Sequence, residues 1–493
     1  MKKYIRYTIL FFSLLMFAIG VSFSNTNTIL VSICSFMLNN IIYCIEKFNE
    51  RIIFFSFNFT FFIFLVGRLV VKALDLYEDP YDIYSINKYG LDFYDKNITE
   101  HIFLSLFLSL VFVFIGYYIT DRLKNASNKS NSKVFFLYKE SYIYSIRYIS
   151  KILFYLTYIF NVLVLLDKAK FTGQMGYTEL YSSYTSSLPG IVFKISEMYQ
   201  ISLFIFLGTL PKKKEIFLPT SLYMISGILS LVVGQRNNFV LNIIIILVYL
   251  CLRNITDSET VWFGKRHIII TICILPILVV LLNTVSYIRE DKDISETSKI
   301  NVISEFLYKQ GASVNLIGYA ETLEAELPKQ KNYTFGRLID FIKENTITQL
   351  ILDIPVYKPN TLDSALYGNS FADSISYLIS PYRYVRGWGY GSSYVAELYK
   401  DFSYVGIMIG NMVMGSIIAY MSVLFKKGPI LAGLSLFMIR LLLYSPRDTT
   451  TSFLVTSFSL INILTIFFIL IGAKIIEKKN NEINISDKQE EIC

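Results

Sequence analysis

The chain has 493 residues, 54% of them hydrophobic and 17% charged, a balance that excludes an ordinary soluble domain and marks an integral membrane protein. The net charge of +8 lies mostly in short basic clusters between apolar runs, such as PKKKE (211–215), FGKRH (263–267) and FKKG (425–428). There is no basic stripe interleaved with aromatics, so the charge excludes a nucleic-acid surface and reads as a topology signal.

In chain order, MKKYIR followed by YTILFFSLLMFAIG has the charge profile of a signal peptide. Its apolar run extends too far and lacks a small-x-small cleavage site, so it reads as a first, uncleaved span. About twelve spans follow from hydropathy: 7–22, 27–45, 52–71, 101–120, 143–166, 190–209, 216–234, 237–252, 268–286, 403–424, 429–444 and 452–473. Within hydrocarbon each span must satisfy its own backbone groups, which makes it a helix. Lys2, Lys3 and Arg6 place the N-terminus in the cytoplasm, and alternation then puts the basic clusters and the tail from Lys474 on the same side. The acidic stretch 75–100 falls outside, and so does the long polar loop 289–401. The expected organisation is an N-terminal bundle of nine spans (1–288), an external cap (289–401), three C-terminal spans (402–473) and a cytoplasmic polar tail (474–493).

The loop is no slack linker. Apolar stretches recur at 302–323, 334–354 and 364–379 with mixed helical periodicity, which predicts amphipathic helices lying along the membrane surface over a cavity between spans. The loop has no GxGxxG, Walker, HExxH or DxD pattern. A transferase with an outward site would therefore draw on a lipid-linked sugar, because a cytoplasmic nucleotide sugar would not reach it. Cys34, Cys44, Cys251, Cys273 and Cys493 are scattered and form no disulfide or metal framework. His101 and His267 fall on opposite sides, so neither a metal nor another cofactor is expected.

Arginine is the side chain best matched to a diphosphate, through two parallel hydrogen bonds and a permanent charge. Arg236, in SLVVGQRNNFVLN, stands at the external membrane edge where a lipid diphosphate would sit. Arg289 holds the equivalent place after the ninth span, and Arg440 and Arg447 lie near the outer end of the eleventh. Arg68 reads as a snorkelling residue. Arg383 and Arg386 precede GWGYGSSY, where Tyr382, Trp388, Tyr390 and Tyr394 offer faces for sugar stacking, against the alternative of an interfacial aromatic belt. Glu397 and Asp401 are candidate bases for an acceptor hydroxyl or partners for nearby cations, with Asp340 and Glu305 weaker options.

GQRNNFVL (234–241), SEFLYKQGASVNLIG (304–318), YTFGRLID (333–340) and GWGYGSSYVAELYKDFSYVGIMIG (387–410) resemble the Wzy-type polymerases of oligosaccharide repeat units, and the resemblance covers nearly the whole chain. It implies an all-α polytopic glycosyltransferase of the GT-C kind in the bacterial cytoplasmic membrane. Such an enzyme transfers a growing glycan from undecaprenyl diphosphate onto the non-reducing end of an incoming lipid-linked unit, on the external face, for O-antigen or capsule synthesis in the cell envelope. The implied partners are that lipid-linked substrate, membrane lipids, and a chain-length regulator and flippase of the same pathway. The family's external arginine segments point to Arg236, Arg289, Arg383 and Arg386. Some relatives place a glycine eleven residues after such an arginine; here those positions hold Leu247, Ile300, Tyr394 and Glu397. The alternatives are the related O-antigen ligase and, in a different class, a flippase or exporter of lipid-linked oligosaccharide. The GSSYVAELYKDF block and the nearly charge-free spans favour the polymerase.

Overall fold

The computed structural model describes residues 2–77, 87–127, 138–177, 179–257, 259–290, 302–329, 331–345, 348–349, 351 and 355–490. These form an all-helical bundle. In chain order the helices are α1 (Lys2–Ser22), α2 (Thr26–Glu46), α3 (Phe48–Ala73, with a π-helical turn at Phe62–Val66), α4 (Lys96–Ser127), α5 (Glu140–Met175), α6 (Gly190–Gly208), α7 (Lys213–Val232), α8 (Arg236–Thr256) and α9 (Lys265–Glu290). The long loop contributes α10 (Val302–Gln310), α11 (Asn315–Thr322), α12 (Gly336–Lys343), α13 (Leu362–Tyr367) and α14 (Phe371–Ile379). The chain then runs through α15 (Tyr394–Leu424), α16 (Pro429–Leu442), α17 (Ser452–Ser457) and α18 (Leu460–Glu490).

Eleven helical stretches among the described residues are long and apolar enough to cross a membrane, and α16 is a shorter apolar helix. They occupy the twelve segments expected from hydropathy. A buried ionic network binds four helices, α1 to α4. Arg51 reaches Glu46 at 3.3 Å and Asp121 at 3.4 Å, Arg6 reaches Glu46 at 3.3 Å, and Lys124 reaches Asp121 at 2.9 Å. The Arg51 guanidinium also lies 3.6 Å from the Tyr43 ring centre. Each charge in this network has an opposite partner, without which its burial would be costly.

Two features depart from simple spans. The first is α16, which has 14 residues. At 1.5 Å per residue it is about 21 Å long, short of a hydrocarbon core of about 30 Å. Residues 443–451 therefore turn back within the bundle, followed by the single-turn α17 and a break before α18. Irregular backbone at such depth is tolerated only where protein or a polar cavity surrounds it.

The second feature is α15, which is broken at Ser403 (φ 55°, ψ −152°). A straight helix would hold Tyr394 and Asn411 about 25 Å apart, yet the Tyr394 hydroxyl donates to Asn411 Oδ1 at 2.7 Å. A Cβ on Gly406 would meet the Leu398 carbonyl oxygen at 2.4 Å, so only glycine permits this approach. Residues 394–402 thus form a short helix folded back beside the long one. Asn411 in turn donates to Ser109 in mid-α4 at 3.2 Å, and the Tyr394 ring lies 6.4 Å from Phe57 in mid-α3. The start of this segment is deep in the bundle, not in the cap.

The region 302–322 also differs from the surface helices expected from its periodicity. Val314, Leu316, Ile317 and Ala320 are fully buried, packed against α3, α4 and α15. Arg68 turns inward instead of snorkelling. It donates to the Gly90 carbonyl at 2.6 Å and to the Tyr308 hydroxyl at 3.0 Å, and stacks 4.0 Å from that ring. A buried guanidinium with several acceptors is a strong clamp, and here it locks α10 to the 87–93 loop.

Candidate functional site

Gly234 and Gln235 turn the chain between α7 and α8, and Arg236 opens α8. The first turn of a helix leaves N–H groups without intrahelical acceptors and carries the positive end of the helix dipole, a setting that favours an anion. Arg236 donates to the Leu282 carbonyl at 3.4 Å and lines a cleft with Asn237, Gln310 and Tyr444. Much of the remaining lining is apolar: Ile63, Phe64, Val240, Leu241 and Ile244.

Two further arginines approach from α16 and the loop beyond it. Arg440, only 7% exposed, is held by the side-chain oxygens of Asn238 at 3.0 Å and Asn242 at 3.4 Å. Arg447 donates to Gln310, at 3.1 Å to Oε1 and 3.3 Å to its carbonyl. Asn237 donates to the Tyr444 hydroxyl at 2.5 Å, joining α8 to the same loop. Among the described residues neither Arg440 nor Arg447 has a carboxylate within ion-pair distance. Amide oxygens orient these guanidinium groups without neutralising them, so the region keeps an excess of positive charge.

A second arginine group lies on the cap. The Arg386 guanidinium stacks 3.9 Å from the Tyr382 ring, and Tyr382, Trp388 and Tyr390 are 63%, 55% and 41% exposed. Tyr384 is buried and donates to the Thr361 carbonyl at 3.2 Å, which fixes the turn that presents its neighbours. The loop between α5 and α6 links the two groups. Tyr181 and Ser182 pack on Gly387, Tyr177 packs on Gly234, and the Tyr177 and Tyr181 hydroxyls are 2.9 Å apart. The 177–182 segment therefore touches both the Gly387 turn that follows Arg386 and the Gly234 turn that precedes Arg236.

The other expected residues fall elsewhere. Tyr394 is fully buried beside Asn411, so its ring braces the folded-back segment and presents no face to a sugar. Glu397 has no exposed surface. Its Oε1 accepts from the Ser392 hydroxyl at 2.6 Å, and its Oε2 accepts from the Thr450 amide at 2.7 Å and hydroxyl at 2.8 Å. Asp401 accepts from the Thr334 amide at 2.6 Å, and the Thr334 hydroxyl donates to the Glu397 carbonyl at 3.2 Å. Both carboxylates thus pin the segment 394–402 to its neighbours. Glu305 pairs with Lys309 at 2.8 Å, and Asp340 accepts from Asn369 at 2.6 Å. Arg289 belongs to the last turn of α9, and its side chain lies outside the described residues. His101 is enclosed between the Tyr404 hydroxyl, at 2.8 Å, and the Ile317 carbonyl, at 3.3 Å. No three His, Cys, Asp or Glu side chains converge among the described residues.

A family model described as O-antigen polysaccharide polymerase Wzy matches residues 5–480. The chain belongs to the Wzy family. No curated protein and no solved structure matches it. Membership in the Wzy family gives the chain a general role in polymerising oligosaccharide repeat units for O-antigen or capsule, at a membrane its apolar helices are built to cross.

Sequence reading missed several residues of this Wzy-family cleft. Asn237 and Asn238 had a signal in the polar run after Arg236, and Asn242 follows one turn later on the same helix. Gln310 and Tyr444 had none, because only packing brings them to Arg447 and Asn237.

Proposed function

We propose that the cleft at Arg236 holds the diphosphate of a lipid-linked oligosaccharide, and that the protein transfers the growing glycan from undecaprenyl diphosphate onto the next lipid-linked unit. The observation that carries this reading is the pair Arg440 and Arg447, oriented by neutral amides in a sheltered setting. A charge placed so, without a counter-charge, is costly unless a ligand supplies one. A diphosphate does so, and Arg236 at a helix N-terminus adds to its binding.

On this reading the arginines also stabilise the diphosphate as it leaves, which is where negative charge develops. Tyr382, Trp388 and Tyr390 on the cap, beside Arg383 and Arg386, guide the saccharide. The apolar lining of the cleft suits the first part of a polyprenyl chain. The positive-inside pattern places this end of the bundle outside the cytoplasm, with both termini within.

The test is polymer formation by purified protein with its lipid-diphosphate repeat unit alone, in the presence of chelator. Wild type yields a ladder without nucleotide, and Arg236→Ala loses it. Absence of a ladder, with movement of the same lipid across a vesicle membrane, would establish a transporter instead.

A further inference from the structure

A glycan joined to a diphosphate in the Arg236 cleft has to pass from there to the cap aromatics. Its first sugar lies against whatever spans the two places, and the segment between α5 and α6 does so. That segment reads GYTELYSSYTSSLPG (176–190) and is rich in hydroxyl groups. It is a built element. Leu180 is buried with Leu165 of α5 and Val233 at the end of α7, and Phe171 and Tyr184 pack on them. Asp167, near the end of α5, accepts from the hydroxyls of Tyr184 at 2.6 Å, Ser186 at 2.6 Å and Ser187 at 3.2 Å. Glu179 accepts from the Ser182 and Ser183 hydroxyls, both at 2.9 Å. A segment fixed in this way gives up little freedom when a ligand binds it.

Two tyrosines join this frame to the arginine groups. The Tyr177 ring packs on Gly234, where a Cβ would meet its Cδ2 at 2.5 Å. Gly234 has φ 89° and sets the turn into Arg236, a backbone conformation that suits glycine. Tyr181 lies against Gly387, in the turn after Arg386, and its carbonyl accepts from Asn360 of the cap at 3.3 Å. The two hydroxyls meet at 2.9 Å, and the rings cross edge to face at 5.4 Å. The Tyr181 hydroxyl also bonds Gln235, the residue before Arg236, while the side chain as a whole stays 47% exposed. Tyrosines of an interfacial belt turn their rings to lipid headgroups. This pair is fastened instead between two glycine turns, each next to an arginine.

We infer that Tyr177 and Tyr181 form the subsite for the sugar joined directly to the diphosphate; the inference rests on the placement of the diphosphate proposed above. A phenol both donates and accepts hydrogen bonds, and its ring suits the apolar face of a pyranose. The pair therefore reads the hydroxyls of the first sugar while the arginines hold the phosphates. One consequence concerns turnover. The lipid diphosphate left after transfer has lost that sugar, so it is held less tightly than the substrate and makes way for the next one.

The experiment measures binding to full-length protein in lipid nanodiscs of two probes: undecaprenyl diphosphate, and glycolipid extracted from cells of the source strain lacking this gene. Wild type binds the glycolipid more tightly. The double variant Tyr177→Phe, Tyr181→Phe keeps both rings and loses both hydroxyls. It binds the glycolipid about tenfold more weakly, as expected for two hydrogen bonds, and undecaprenyl diphosphate within about twofold of wild type. Equal losses for the two lipids, or no loss for the glycolipid, overturn the subsite. If the double variant fails to fold, Tyr181→Phe alone carries the same comparison, with a loss of about threefold or more for the glycolipid only. Arg236→Ala weakens both lipids together. If it binds undecaprenyl diphosphate as wild type does, the placement of the diphosphate fails, and this inference with it. A wild type that shows the binding difference but forms no polymer ends the polymerase reading and leaves the sugar subsite standing.

Discussion

The hydroxyl of Tyr394 donates to Asn411 at 2.7 Å, across 17 positions of one apparent helix. The contact exists because α15 turns at Ser403 and folds its first residues back into the bundle. The fold-back carries a block of polar contacts with it: Glu397 against Ser392 and Thr450, and Asp401 against Thr334.

The fold-back depends on close backbone approach at Gly406. Gly406→Val places side-chain atoms where the Leu398 carbonyl stands, with a Cβ at 2.4 Å, and should abolish the packing of 394–402. Tyr394→Phe removes one hydrogen bond and should cost about 1 kcal/mol, in the range of interhelical polar contacts in membranes. Thermal unfolding in detergent should show a large loss for the first and a small one for the second. Equal losses would show that the segment is not held by this approach.

Glu397→Gln keeps an acceptor for Thr450 and turns the contact with Ser392 into a donor, whereas Glu397→Ala leaves three donors without their acceptor. Each buried unsatisfied polar group costs about 1–3 kcal/mol. The glutamine variant should therefore stay folded and retain polymer formation, and the alanine variant should unfold at a clearly lower temperature. Complete loss of activity in a well-folded glutamine variant would instead give Glu397 a chemical role.

Arg440→Lys tests whether the fork of the guanidinium matters. Arginine spans Asn238 and Asn242, while lysine offers a point charge on a flexible stem. Loss of one charge-assisted hydrogen bond is worth about 1.5–3 kcal/mol. Glycolipid affinity should fall about tenfold or more, measured by binding to protein in nanodiscs. Unchanged affinity would remove Arg440 from the diphosphate site.

Trp388 and Tyr390 are exposed beside the Arg386–Tyr382 stack. Replacing both by alanine should leave the first transfer near its wild-type rate and shorten the product ladder, because stacking retains a long glycan more than a single unit. A ladder of unchanged length would detach the cap aromatics from glycan handling.

Lys331 donates to the Gly368 carbonyl at 2.5 Å in the cap, and burial lowers its pKa to about 8 against the opposing pull of Asp340 and Asp373. The unfolded cap binds this proton more tightly, so cap stability rises with pH from about 8 towards the ordinary lysine value of 10.5 and is weaker below. Hydrogen exchange at α13 and α14 should slow relative to the intrinsic rate over that window. Lys331→Met should remove the dependence.

Much was legible from sequence alone. Hydropathy located the apolar helices because each span must be apolar over its length and satisfy its own backbone. GQRNN marked Arg236 as a polar residue between two apolar runs, and the structure puts it at the start of α8. The break at Ser403 coincides with the span start expected there.

What only the tertiary structure decided is which polar groups face one another. Tyr394, Glu397 and Asp401 read as cap residues because they precede an apolar run, and sequence carries no sign that the chain doubles back. That reversal depends on Gly406 meeting Leu398, a contact between two faces that periodicity treats as separate turns. Gln310 and Arg447 lie 137 positions apart, and nothing local links them. A span's hydrophobicity is a one-dimensional property, set residue by residue against lipid. A binding site is a set of distances across the bundle, fixed only when the helices pack.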